Sequence, residues 1–280
     1  MASTEHDVDI AGRSLFALEA GSGEPTVVFE AGMGDFSRTW HTVQAEVAKV
    51  TRTTSYDRAG RGQSQFAGHS RTCDDCLADL VAMLEALEVK QPFVLVGHSF
   101  GGFIARLFAH TFPKKLAGMV LVDSAQEDTV FEIQKILGNV SFPRRQFDEP
   151  QWLTWLRFHQ AQHLDPAFPE NLLNEEGLDV TACERQIREI TSLGDLPLVI
   201  VSSTKRTDDR DAGATGIAAE TEEAAEQALI ECQAKLLGLS TDATQILATE
   251  SGHYIQDDQP DLVISAVVQM VERVRREHML

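Results

Sequence analysis

Short apolar runs recur along the chain, separated by longer segments in which apolar residues return every three or four positions. The runs are 26–30, 51–56, 93–96, 119–122, 198–202 and 245–248. Most lack the polar alternation of a strand with one wet face; 51–56, rich in threonine, is the exception. Strands of such composition are covered on both sides, the usual condition of a parallel sheet. The intervening periodicity predicts helices over 39–49, 74–88, 100–111, 220–237 and 260–276. Ahead of them, 6–10 and 14–19 read as a hairpin turned at Ala11-Gly12-Arg13. Alternation of this kind predicts an α/β fold, a doubly wound and mostly parallel sheet with right-handed crossovers.

The rhythm breaks over 126–192. No strand pattern is visible there, and the stretch holds Phe131, Phe142, Phe147, Trp152, Trp155, Phe158 and Phe168, seven of the nineteen aromatics. Aromatics concentrated in an irregular helical insertion predict a lid over a pocket. The expected division is a core of 1–125 and 193–280 with a helical cap over 126–192. Trp152, Trp155 and Phe158 are the candidate substrate contacts, and about half of these aromatics are expected to form the lid's own core. A second irregular stretch, 205–219, is rich in Asp, Gly and Ala and reads as a surface loop.

Charge narrows the partners. The formal net charge is −19, which repels phosphate backbones and anionic lipid, so neither nucleic acid nor membrane is an expected partner. The first residues carry no basic segment leading into an apolar run, and no stretch reaches the ~18 apolar residues of a membrane span. The expectation is a cytoplasmic protein acting on a small molecule. Cys73 and Cys76 form a C-x-x-C pair at the start of an acidic helix, without a second pair to complete a metal site. With Cys183 and Cys232 they read as reduced bystanders. His159 and His163 stand four apart with no evident third ligand, so no metal is expected.

The strongest chemical signal is Gly97-His98-Ser99-Phe100-Gly101, which follows the strand PFVLV and opens the helix FGGFIARLFAHTF. In that context G-x-S-x-G is a nucleophile elbow. The turn is tight enough to strain the serine backbone, and the flanking glycines leave room for it. Ser99 Oγ is thereby held clear of the sheet, with neighbouring amides and a helix N-terminus facing any developing oxyanion. His253, in a Gly-containing loop beyond the strand QILA, belongs to the same sheet edge and is the candidate general base.

Here the chain resembles the α/β-hydrolase superfamily over nearly its whole length. Beside the elbow, the resemblance rests on Glu30-Ala31-Gly32-Met33-Gly34 after one strand and the D-x-x-G-x-G-x-S turn from Asp57 to Ser64 after the next. Ser251-Gly252-His253 follows the last. It implies an order of serine, acid, histidine and an oxyanion hole made by the amides of Phe100 and Met33. Glu30-Ala31 departs from relatives that carry His before the glycine, which matters little where the donors are backbone N–H groups. The acid stays open. The family's usual position falls near Arg206, which cannot serve; Asp208 and Asp209 follow in the irregular loop. Asp123, at the end of GMVLVD, occupies a position some members use, and a strand end fixes a carboxylate better than a loop does. Asp57 reads as stabilising its own turn, and Arg58 and Arg61 as structural residues or as partners of a substrate carboxylate.

The resemblance implies hydrolysis of a carboxylic ester, lactone or related acyl bond of a small, fairly apolar molecule through an acyl-enzyme on Ser99. It requires no metal and no organic cofactor. An amidase or peptidase, a carbon–carbon hydrolase or lyase, and a non-catalytic ligand-binding protein are the alternatives on the same fold.

Overall fold

The computed structural model describes residues 3–137, 176–204 and 218–278. The apolar runs become strands, and all but the last, 245–248, are largely buried on both faces; there Leu247 is exposed. Along β3 (Val27–Glu30), β5 (Phe93–His98) and β6 (Leu116–Val122), successive residues supply two different cores. Val28, Phe93, Leu95, Met119 and Leu121 enter one; Val27, Phe29, Val94, Val96, Val120 and Val122 enter the other. Period two with apolar residues on both faces up to the strand ends is what a sheet between two helical layers demands.

The remaining strands are β1 (Ser3–Ile10), β2 (Arg13–Ala20), β4 (Thr53–Tyr56), β7 (Leu198–Ser203) and β8 (Ala243–Ala248). The eight form one sheet in the order β1-β2-β4-β3-β5-β6-β7-β8. β1–β2 and β2–β4 pair antiparallel, and the other neighbours run parallel. The β1–β2 turn is tighter than its sequence suggests. Ile10 pairs with Arg13, leaving only Ala11 (φ 52°) and Gly12 (φ 87°) as the two-residue loop favoured by strand twist.

The helices are α1 (His41–Val47), α2 (Cys73–Ala86), α3 (Gly101–Thr111), α4 (Thr129–Leu137), α5 (Val180–Arg188), α6 (Ala219–Lys235), α7 (Ile255–Asp258) and α8 (Pro260–His278). α2 and α3 cover one face of the sheet, and α1, α7 and α8 cover the other. Thr72 and Asp75 close a capping box at the start of α2. Of the stretch 126–192 the described part holds α4 and α5. Val180, Cys183 and Ile187 of α5 pack into the core shared by α2 and α3. Trp152, Trp155, Phe158, His159 and His163 lie outside the described residues, as does most of the expected surface loop. All four cysteines are buried and free. Among the described residues no helix is long and apolar enough to cross a membrane.

Candidate active site

Ser99, the first residue past β5, has φ +50°, in the left-handed region that side chains disfavour. Three backbone hydrogen bonds hold it there. Its N–H donates to Val122 O (3.2 Å), and its carbonyl accepts from the N–H groups of Gly102 and Ala125 (2.9 Å each). The glycines are steric requirements. A Cβ on Gly97 would stand 2.7 Å from Gly101 O, and one on Gly101 would stand 2.5 Å from Glu30 O. The Glu30–Gly34 loop passes directly against the serine: a Cβ on Gly32 would lie 3.3 Å from Ser99 Cβ.

Asp123 is the first residue past β6, also at positive φ (38°), its N–H donating to Val201 O at 2.7 Å. Its two carboxylate oxygens are used differently. Oδ1 accepts from the backbone N–H and the hydroxyl of Ser203, both at 2.9 Å. Oδ2 accepts from His253 Nδ1 at 2.7 Å. Asp123 is 3% exposed, whereas the His253 side chain keeps 20% of its surface in contact with solvent. A carboxylate can only accept, so Nδ1 carries the proton and the neutral imidazole leaves Nε2 as the basic nitrogen.

The loop carrying His253 is fastened as well. His98 Nε2 lies 3.0 Å from the His253 carbonyl and must be the donor, since that oxygen can only accept. The two imidazole rings approach to 4.6 Å between centroids. Asp258 at the end of α7 accepts from Gly252 N–H (3.0 Å) and Ser251 Oγ (3.2 Å). Ser99, Asp123 and His253 all follow the C-terminal ends of parallel strands, so one sheet edge presents all three.

Beneath the Glu30–Gly34 loop sits a buried charge cluster. Arg58 donates to Glu30 Oε1 (2.7 Å) and through Nε to Glu176 Oε2 (2.7 Å). Tyr56 OH donates to Glu30 Oε2 (2.5 Å). Burial pushes the Glu30 carboxyl above the usual carboxylate range, against the pull of Arg58 and Tyr56. Burial opposes the charge on Arg58, but Glu176 and Glu30 outweigh it and hold the guanidinium firmly protonated. Asp57 accepts from the N–H groups of Ser37 and Gln63 (2.8 Å each), organising the turn around Gly62.

The structure thus joins Asp123 to His253 and leaves Arg58 buried (2% exposed), with no access to a substrate carboxylate. Asp208 and Asp209 lie outside the described residues. Among those described, the N–H groups of Met33 and Phe100 have no acceptor. Sequence reasoning overlooked Ser203, His98 as a support for the His253 loop, and Glu176. The serine pair closing LVIVSS was a usable signal for the first; Glu176, 118 residues from Arg58, had none.

Fold and edge together define a hydrolase scaffold of the doubly wound α/β type. Residues 27–266 match the Alpha/beta hydrolase family, and the chain belongs to that family. Among curated relatives, the uncharacterised protein YqjL of Bacillus subtilis (strain 168) is 30% identical over 247 residues, 88% of this chain and 83% of that one. Among solved structures, a serine hydrolase involved in carbazole degradation superposes with a TM-score of 0.63 at 19% identity, covering 97% of this chain and 99% of the other. A thermophilic esterase from Thermogutta terrifontis gives 0.60 at 19% identity, covering 98% and 99%. At these identities the structural likeness is one of fold.

Proposed function

We propose that this chain is a serine hydrolase that cleaves a carboxylic ester, lactone or related acyl bond of a small, fairly apolar molecule. His253 Nε2 takes the proton from Ser99 Oγ as the oxygen attacks the carbonyl carbon. The N–H groups of Met33 and Phe100 receive the oxyanion, and Asp123 stabilises the imidazolium through Nδ1. The imidazolium then protonates the departing alkoxide, leaving an acyl group on Ser99. Water, deprotonated by His253, attacks that ester; the tetrahedral adduct collapses, the acid leaves and Ser99 recovers its proton. In this reading Trp152, Trp155 and Phe158 contact the apolar part of the substrate.

The observation that carries the proposal is the 2.7 Å pairing of Asp123 with His253 on the sheet edge that also bears the strained Ser99. A buried carboxylate with one oxygen saturated by Ser203 and the other turned to an imidazole is arranged to fix a tautomer. The likeness to an esterase and a serine hydrolase adds support through the fold they share.

The test is turnover of a panel of short-chain nitrophenyl esters, lactones and anilides by wild type and Ser99→Ala. Turnover of esters or lactones by wild type, lost in the variant, is the expected result. Ester turnover that survives the loss of Ser99 would refute the mechanism, and cleavage of anilides alone would assign the chain to amide chemistry.

A further inference from the structure

Arg58 makes more bonds than charge balance requires. Besides Glu30 and Glu176 it donates through Nη1 to the carbonyl of Ala31 (2.5 Å) and through Nη2 to the carbonyl of Gly32. A second contact to Glu176, from Nη2 to Oε1, is 3.0 Å long. A guanidinium has five N–H groups in a rigid plane, and here they grip two carboxylates and two consecutive peptide carbonyls of one loop.

Through peptide planarity that grip fixes the direction of a neighbouring amide. Across a trans peptide the C=O and N–H point in opposite directions. The Gly32 carbonyl shares its plane with the Met33 N–H. Holding the oxygen on the buried side therefore aims that N–H away from Arg58. Glu176 then separates Met33 from its neighbour, because its Oε1 accepts the Gly34 N–H at 2.7 Å. Of these two amides, only Met33's is left for an incoming oxygen. The loop itself lies against Ser99 at Gly32.

We propose that Arg58, locked by Glu176, is the positioning residue of the oxyanion hole. It clamps the Gly32–Met33 peptide so that the Met33 N–H faces the oxygen developing above Ser99. The clamp also polarises that peptide: a cation bonded to the carbonyl oxygen draws electron density from the nitrogen and makes the N–H a stronger donor. Glu176 belongs to the stretch 126–192 expected to form the cap, so the same bonds tie that stretch to the catalytic loop. This assignment rests on the acyl-enzyme reading above for its catalytic meaning, but the clamp is a separate physical claim.

Arg58→Lys tests it, because an ammonium keeps the charge yet cannot span both carbonyls and both carboxylates. A crystal structure of this variant should show the Gly32–Met33 peptide rotated, with the Asp123–His253 pair unchanged. With 4-nitrophenyl butyrate, kcat should fall by roughly ten- to a hundredfold, the scale of a displaced oxyanion donor, while KM stays within about twofold. Affinity for phenylboronic acid, which mimics the tetrahedral adduct, should fall by a similar factor. Should Arg58→Lys fail to fold, Glu176→Gln keeps the shape of the cluster and should show the same kcat-selected loss at smaller size. A folded variant with the peptide unmoved and kcat at the wild-type level would overturn the proposal, as would a loss confined to KM. If wild type turned over no acyl substrate, the acyl-enzyme reading would fail, and the peptide orientation in the Arg58→Lys crystal would still decide the clamp.

Discussion

Replacing Asp123 by asparagine changes one atom, and the structure dictates how the new side chain must sit. Oδ1 receives two donors, the Ser203 N–H and hydroxyl. An asparagine must place its only acceptor oxygen there, since an NH2 group facing two donors would clash with both. Its amide nitrogen then faces His253 Nδ1 and donates to it. The imidazole is driven to the opposite tautomer, with its proton on Nε2, where it can no longer accept the proton of Ser99. The geometry is preserved and the base is lost. We expect kcat/KM to fall roughly ten-thousandfold, about 5.5 kcal/mol of transition-state stabilisation, in line with the asparagine variant of a known Ser-His-Asp enzyme. The assay is nitrophenyl ester hydrolysis with enzyme quantified by active-site titration, accompanied by circular dichroism to show that the fold is intact. A loss below about tenfold in folded Asp123→Asn would mean that Asp123 does not set the tautomer of His253. A large loss in Asp208→Asn/Asp209→Asn instead would move the acid to that loop.

Two further predictions concern the scaffold. Gly101→Ala sets a modest gain against a larger cost: alanine improves helix propensity by up to ~1 kcal/mol, but its Cβ would meet the Glu30 and Ala31 carbonyls at 2.5 and 2.6 Å. Backbone cannot yield as a side chain does, so the variant should lose about 2–3 kcal/mol by urea denaturation, and a neutral result would mean the elbow is looser than described. Asp128 is pushed up by burial but held below the usual aspartate range by Arg188 and Lys235, which ties the start of α4 to α5 and α6. A depressed folded pKa stabilises above the unfolded value and is lost as pH falls through the folded one. Asp128→Asn should therefore lower stability by up to ~1 kcal/mol at neutral pH, with the gap to wild type closing in acid; a gap independent of pH would contradict the ion-pair account.

The pattern of apolar runs predicted the layered sheet because burial on both faces leaves a signature in each strand separately. Val94 and Leu95 point to different cores, yet both had to be apolar. The elbow was legible for a similar reason, since its glycines and serine are consecutive and the strain is local. What the sequence could not convey is pairing across the chain. Asp123 was favoured on the rigidity of a strand end, but the Ser203 bonds that set the roles of its two oxygens come from 80 residues away. Arg58 had two readings, and only its burial between Glu30 and Glu176 separates them. Glu30, which looked like a departure from the family's pattern, anchors that cluster.

In the proposed mechanism Ser99 is made nucleophilic by His253. This activation is tested most directly by the rate and site of modification with a fluorophosphonate, read by peptide mass spectrometry. One phosphonyl group is expected on Ser99 in wild type and none in Ser99→Ala, with a rate at least about a thousandfold lower in His253→Ala. Labelling at another residue, or labelling of His253→Ala at the wild-type rate, would contradict this mechanism.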